Sequence, residues 1–278
     1  MSLTYNKIKN SPKNFQQLFG LTPEQFNEIS SKAKKVFEKI IIAKYKRQGR
    51  FHKLSFEDML LLLLLYYRTY MTQRFVAILF NIDVSRVCRI IKMLEPILLS
   101  VVKIKKTKHL SKEEVDTLIV DATEQQIERP KYNQKPYYSG KKKRHTLKTE
   151  IRTTREGRIV YVSKAIPGSV HDLVLYRKQK AIPKKTTIYG DSGYQGLQHQ
   201  HKKIVLPHKA KKKTPLTEVQ KAFNKAYART RVVVENIFGD MKVFKILDFK
   251  YRNKGKGYDT KFKLIAGFIN LKNGFGIA

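Results

Sequence analysis

The 278 residues carry a formal net charge of +36, from 58 Lys and Arg against 22 Asp and Glu, while 41% of them are hydrophobic. That apolar fraction excludes a disordered basic tail, and basic residues outnumber acidic ones more than two to one on both sides of Asp116, which excludes a single basic arm. The partner is expected to be a polyanion, nucleic acid in preference to a membrane, because each Lys or Arg that neutralises a phosphate releases condensed counterions.

The first residues, MSLTYNKIKNSPKN, lack the apolar core of a secretion signal. Thr22-Pro23-Glu24-Gln25 supplies an N-cap, a first-turn proline and a capping-box glutamine. Behind it Phe26, Ile29, Ala33, Val36, Phe37 and Ile40 recur at helical spacing. A second helix, capped by Ser55 with Asp58 three residues on, carries the apolar run Met59 to Tyr67. A membrane span needs about 20 such residues, so this shorter run is expected to be a buried core helix. The expectation is a soluble, cytoplasmic protein, nucleoid-associated in a bacterium. Cys88, the single cysteine, excludes an internal disulfide and a zinc ribbon and suits a reducing compartment.

Gln73 to Lys92 fits a helix-turn-helix. Ala77 is small where two helices approach, and Asn81 sits at the turn, where a left-handed backbone favours Gly or Asn. Ile82, Val87 and Ile90 pack the second helix on the first. Arg74, Ser85, Arg86, Arg89 and Lys92 are left for the outside and are the predicted DNA contacts. A plain αα-hairpin would share the apolar pattern; the basic outer face favours DNA.

Lys103 to Lys112 is a basic, weakly patterned junction, and a helical domain is expected over 1–110 with a second domain over 111–278. In that second domain the apolar period shortens. Thr117 to Val120 is predicted as a buried strand ending at Asp121. His145–Thr153 and Arg158–Ala165 follow as strands joined at Glu156-Gly157, then a helix from Ser169 to about Gln179. Thr186–Tyr189 and Ile204–Leu206 are further strands, and a long helix is predicted from about Thr217 through Met241. The order implies a mixed α/β sheet with flanking helices, preceded by an all-α domain.

In this basic domain three acids fall where chemistry is possible. Asp121 and Asp191 follow strands, and two strand ends lying side by side would bring them together. Glu235 lies on the long helix, which would supply it across them. Carboxylate oxygens suit Mg²⁺ or Mn²⁺, and two such ions about 4 Å apart can drive an in-line phosphodiester displacement. Asp172 could assist metal binding or cap the helix from Ser169, and Glu124 could support Asp121 or be a surface charge. His199 and His201 read as solvent-facing. The clusters Lys141–Arg144 and Lys209–Lys213 read as DNA contacts. There is no Gly-rich P-loop, so no nucleotide cofactor is expected.

VDATE (120–124), GSVHD (168–172), YGDSGYQG (189–196) and Arg231-x3-Glu235-x6-Lys242 together resemble the DDE transposases, in particular insertion-sequence transposases and their Harbinger-type relatives. The resemblance covers roughly residues 115 to 275. It implies a ribonuclease-H-like core with Asp121, Asp191 and Glu235 as ligands of two metal ions. It also implies cleavage at transposon ends, in their terminal inverted repeats, and attack of the freed 3′-hydroxyl on target DNA. Arg231 and Lys242 match the family's basic positions and would contact phosphates. Tyr227 stands four residues before Arg231, where the family's tyrosine stands three before. Pairing of two double-stranded ends implies a homo-oligomer. The alternatives are a DNA-binding protein derived from a transposase without its activity, or an unrelated nuclease on the same core, which would have less need of a helix-turn-helix.

Overall fold

The computed structural model describes residues 3–44, 53–104, 111, 115–210, 215–253 and 256–276. Their contacts divide the chain into a helical unit of Met1–Lys103, Met241–Phe249 and Thr260–Ala278, and a sheet unit of Ile104–Asp240 and Lys250–Asp259. No helix among the described residues is long and apolar enough to cross a membrane.

The helical unit begins with α1 (Tyr5–Ile8), α2 (Pro12–Phe19) and α3 (Pro23–Lys44). The capping box at Thr22 forms: the Thr22 N–H donates to Gln25 Oε1 at 3.0 Å and the Gln25 N–H to Thr22 Oγ1 at 3.3 Å. Next come α4 (Phe56–Thr69), α5 (Gln73–Phe80) and α6 (Val84–Val101). Ser55 caps α4 by accepting from the Asp58 N–H at 3.0 Å. Every residue from Met59 to Tyr67 is buried. A helix that is apolar all round must be enclosed on all sides, and α4 packs against α1, α2, α3, α5 and α6.

Two C-terminal pieces join this unit, where the sequence had suggested one continuous second domain over 111–278. The physical reason is apolar packing. The Phe244 ring lies over Gly20, where a Cβ would meet it at 2.6 Å. Gly267 lies against Val102, and the buried Lys261 pairs with Glu95 at 2.8 Å.

The sheet unit holds β1 (Thr117–Gln126), β2 (Tyr138–Ser139), β3 (Arg144–Thr153), β4 (Ile159–Val162), β5 (Ile166–Pro167), α7 (Asp172–Arg177), β6 (Thr187–Gly190), β7 (Ile204–Val205) and α8 (Glu218–Lys242). A last helix, α9 (Tyr258–Lys272), runs on into the helical unit. Among the described residues the sheet order is β2-β3-β1-β6-β7, with β4 and β5 also on β3. It is mixed: β1 is antiparallel to β3 but parallel to β6, and β6 is parallel to β7. Leu118, Val120, Ile188, Tyr194 and Leu197 form the core of one face. The turn at Gly157, φ +90°, lies against Val233 and Ile237 of α8.

Several elements differ from the sequence reading. The strand containing Asp121 continues to Gln126, because β3 pairs with it along that length. Arg158–Ala165 is shorter as a strand, with β5 added after it, and α7 begins at Asp172 and ends at Arg177. Glu150 and Arg152 on β3 are fully buried as an ion pair of 2.9 Å, with the guanidinium over the rings of Tyr161 and Tyr176. His201 is buried, with Nε2 2.6 Å from the Thr186 carbonyl oxygen; only His199 of that pair faces solvent.

Candidate functional site

Parallel pairing of β1 with β6 brings the acids together. Its register sets Val120 beside Gly190, so Asp121 and Asp191 are the next residues on two adjacent parallel strands. β6 stops at Gly190 while β1 runs on against β3. Asp121 therefore does not end its own strand; the neighbouring strand ends beside it. In open α/β sheets such a place, beyond the carboxyl ends of parallel strands, is where ligands bind.

The two carboxylates are held differently. Asp121 Oδ1 accepts from the Ala122 N–H at 2.9 Å, and Arg231 of α8 donates to Oδ2 at 2.6 Å. Asp191 caps the short turn Ser192–Tyr194, its Oδ1 accepting from the Gly193 N–H at 2.7 Å. The glycines around it sit where a side chain would have little room. A Cβ on Gly190 would meet the buried Tyr194 ring at 3.2 Å. One on Gly193 would lie 2.5 Å from Asp172 Oδ2 and 2.9 Å from Asp191 Oδ1. Asp172 and Asp191 thus flank the same bare glycine.

Asp172 does not cap a helix from Ser169. His171 is the N-cap of α7, its Nδ1 accepting from the Leu173 N–H at 3.4 Å, which leaves Asp172 as the first helical residue. Its carboxylate pairs with Lys148 Nζ at 2.8 Å. Lys148 is itself buried, donates to the Val170 carbonyl at 2.7 Å and lies 3.5 Å from Glu124. Glu124 also accepts from the Thr146 hydroxyl at 2.9 Å, so it belongs to a largely enclosed polar network. By strand alternation Glu124 faces away from Asp121. Lys148 was not singled out in the sequence, where it is one lysine among many; only its burial between two acids distinguishes it.

On α8, Phe223, Tyr227, Arg231 and Glu235 recur at four-residue steps and share a face. The Tyr227 hydroxyl donates to the Gly190 carbonyl, so this tyrosine pins the end of β6. Glu235, one turn beyond Arg231, is exposed. Among the described residues no three His, Cys, Asp or Glu side chains are gathered as a preformed metal cage. Asp191 and Asp172 lie near enough to Asp121 to act on its charge, and Glu235 acts on Arg231, the partner of Asp121. Like charges separate unless a cation lies between them, and for Asp121 that cation is the Arg231 guanidinium. Lys242, the last residue of α8, counts with the helical unit.

Burial pushes the Asp121 carboxyl up to about 6; Arg231 opposes that shift, and Asp191 and Asp172 add to it. For Arg231, burial works to lower the pKa, but Asp121, Tyr227, Asp191 and Glu235 outweigh it and the net shift is upward. Its Nε is buried with no hydrogen-bond partner among the described residues. The pocket therefore holds surplus negative charge and one unused guanidinium donor.

In the helical unit the expected turn is present. Asn81 adopts φ +51° and the Ile82 N–H donates to the Ala77 carbonyl at 3.0 Å. Ala77, Val87 and Ile90 are buried. Arg74, Ser85, Arg89 and Lys92 are exposed and Arg86 partly so. Arg89 folds along α6, donating from Nε to the Ser85 carbonyl at 3.2 Å and from Nη2 to its hydroxyl at 3.0 Å. Lys141–Arg144 is exposed, as is Lys209; Lys211–Lys213 lie outside the described residues.

Residues 120–270 match the family described as DDE superfamily endonuclease, and residues 52–103 match the helix-turn-helix of DDE superfamily endonuclease. A protein of Microchaete diplosiphon, named as a probable transposase for insertion sequence element IS702, is 31% identical over 263 residues, which cover 91% of this chain and 95% of that one. One from Streptomyces albus G, provisionally named a transposase for insertion sequence element IS112, is 29% identical over 256 residues, covering 91% and 92%. No solved structure matches.

Proposed function

The chain belongs to the DDE superfamily of endonucleases, and on that premise we propose that it is a DNA transposase, cutting the phosphodiester backbone at the ends of an insertion sequence and joining the freed strand to target DNA. The observation that carries this reading is the parallel register of β1 and β6, which sets Asp121 beside Asp191 with Arg231 against Asp121.

Oxygen-only donors, a carboxyl lifted by burial and its acidic neighbours, and a mouth beyond the strand ends suit hard divalent cations. Asp121, Asp191 and Glu235 would hold Mg²⁺ or Mn²⁺, two ions per site. Such ions, when bound, supply an activated water and stabilise the leaving oxygen. The chain's own residues do the rest. The Arg231 guanidinium, partly exposed and held fixed by its pairing with Asp121, offers its charge to a phosphate of the entering DNA. Asp191 is aimed by the Gly193 N–H and by the Tyr227 bond to Gly190. Lys148 neutralises Asp172, so that this acid does not add a further full charge to the crowd. The exposed cations of α5 and α6 hold the terminal inverted repeat, and the basic surface contacts target DNA. Joining two ends at once calls for at least two copies of the chain.

The test is cleavage of duplex DNA carrying the element's terminal repeats, with Mg²⁺, by the wild type and Asp191→Ala. Metal-dependent cutting by the wild type that falls by at least about a thousandfold in the variant, with duplex binding retained, is the expected result. Tight, sequence-specific binding with no cutting by the wild type would instead identify a DNA-binding protein that has lost its chemistry.

A further inference from the structure

A row of rings starts at the carboxylate site and ends in solvent. Tyr189, two residues before Asp191, stacks on Tyr227 with centroids 5.9 Å apart and planes at 25°. Tyr227 stacks on Phe223 at 6.3 Å and 22°, and His208 meets Phe223 nearly edge-on at 5.0 Å. At the inner end Arg155 covers Tyr189, 5.7 Å from its centroid, and donates to its hydroxyl at 3.3 Å. Arg155 is exposed and Tyr189 half-buried, while Tyr227, the next ring, is buried.

The outer end is open. Phe223 is 39% exposed and His208 is exposed. A ring needed only to pack α8 onto the sheet would be covered. The outer ring is nonetheless held in place: the Asn224 side chain clamps the His208 backbone, accepting from its N–H at 2.9 Å and donating to its carbonyl at 3.0 Å. The segment carrying His208 is thereby fixed to the helix that carries Phe223.

We propose that Phe223 and His208 form a stacking platform for an unpaired nucleotide of the DNA strand lying in the carboxylate site. This rests on the DNA-cleaving reading above and adds to it a subsite and the form of DNA it takes. Phe223 shares the helix face of Arg231 and precedes it by two turns, a rise of about 12 Å, so a strand whose phosphate meets Arg231 passes the platform within a few nucleotides. Bases inside a duplex already stack on one another and have no face to offer a protein ring. The ligand is therefore a nucleotide freed from pairing, at a frayed or overhanging end. The charge matches a backbone: Lys209 follows His208 and is exposed, and the exposed Arg155 lies over the ring at the other end of the row. Stacking on an aromatic face is tolerant of sequence and depends on the ring.

The test is fluorescence anisotropy of the full chain in EDTA, which removes any contribution from metal or cleavage. The probes are a labelled oligothymidylate and a labelled duplex of equal length. Phe223→Leu keeps the apolar bulk and loses the ring face, and Phe223→Trp keeps a ring. Phe223→Leu is expected to weaken oligothymidylate binding about tenfold or more, with duplex binding within about twofold and Phe223→Trp near wild type. If Phe223→Leu lowers the thermal melt, the surface variant His208→Ala carries the same comparison. Unchanged oligothymidylate binding in a folded variant, equal losses on both probes, or no binding of the oligothymidylate by the wild type would each overturn the proposal. A protein that shows the ring-dependent difference but never cuts DNA would leave the platform standing and sink only the cleavage reading.

Discussion

The helix-turn-helix and the carboxylate site arrange their charges in opposite ways. The first takes all its candidate contacts from one stretch, Arg74 to Lys92, and holds them at the surface, where among the described residues Arg86 and Arg89 pair with neighbours on their own helix turns. The second draws Asp121, Asp172, Asp191 and Arg231 from four separate elements and sets them partly out of water, where burial is the largest of the causes that move Asp121 up to about 6. In water each charge is screened and contributes little singly, so the first region acts by number. In a desolvated pocket each charge changes the state of the others, so the second acts by arrangement.

The sharpest way to break that contrast is Arg231→Ala. Loss of the one guanidinium among three acids is expected to lower cleavage by about a hundredfold at saturating DNA, while duplex affinity changes little. A gel assay under single-turnover conditions reads this, and an effect confined to affinity would show that Arg231 behaves like a surface cation.

Next is pH. Asp121 has a folded value of about 6 against 3.8 for the free group, so between those values the folded state holds more protons than the unfolded. Metal-free stability should therefore fall as pH rises through that window, by on the order of 2 kcal/mol from this group, and level off above it. Thermal melts of wild type and Asp121→Asn from pH 4 to 7.5 isolate the contribution; parallel curves would remove it.

Arg89→Ala should weaken binding to the terminal repeat by about tenfold and reduce the salt slope by about one. Rates measured with DNA in excess should stay the same, which places the residue in capture and outside chemistry. The smallest effect is expected at Ser55→Ala, which removes the cap of α4 and should cost about 1 kcal/mol in denaturant unfolding without altering either activity.

Much of the helical unit was legible because its rules are local. Capping boxes, the nine-residue apolar run and the left-handed Asn81 turn are each set by residues within a few positions of one another. In the sheet unit the strands near Asp121 and Asp191 were legible from short apolar runs, and the family resemblance ordered the motifs. Lys148 was not, since nothing adjacent to it separates a buried lysine from the many exposed ones. Asp172 was read toward a helix cap because sequence shows an acid after His171 but not the lysine opposite it. The strand ending was assigned to Asp121 because its extension depends on β3, more than twenty residues away.

Composition, periodicity and motif order by themselves determined that this is a cationic protein, with a helix-turn-helix followed by a mixed sheet and acids that follow its apolar runs. Tertiary structure alone decided that the C-terminal segments return to the helical unit, that Asp172 joins Asp191 across Gly193, and that Arg231 reaches Asp121. The physical reason is range. Backbone propensity and capping act over a few residues, whereas a carboxylate's partner and its desolvation are fixed by whichever distant element packs beside it.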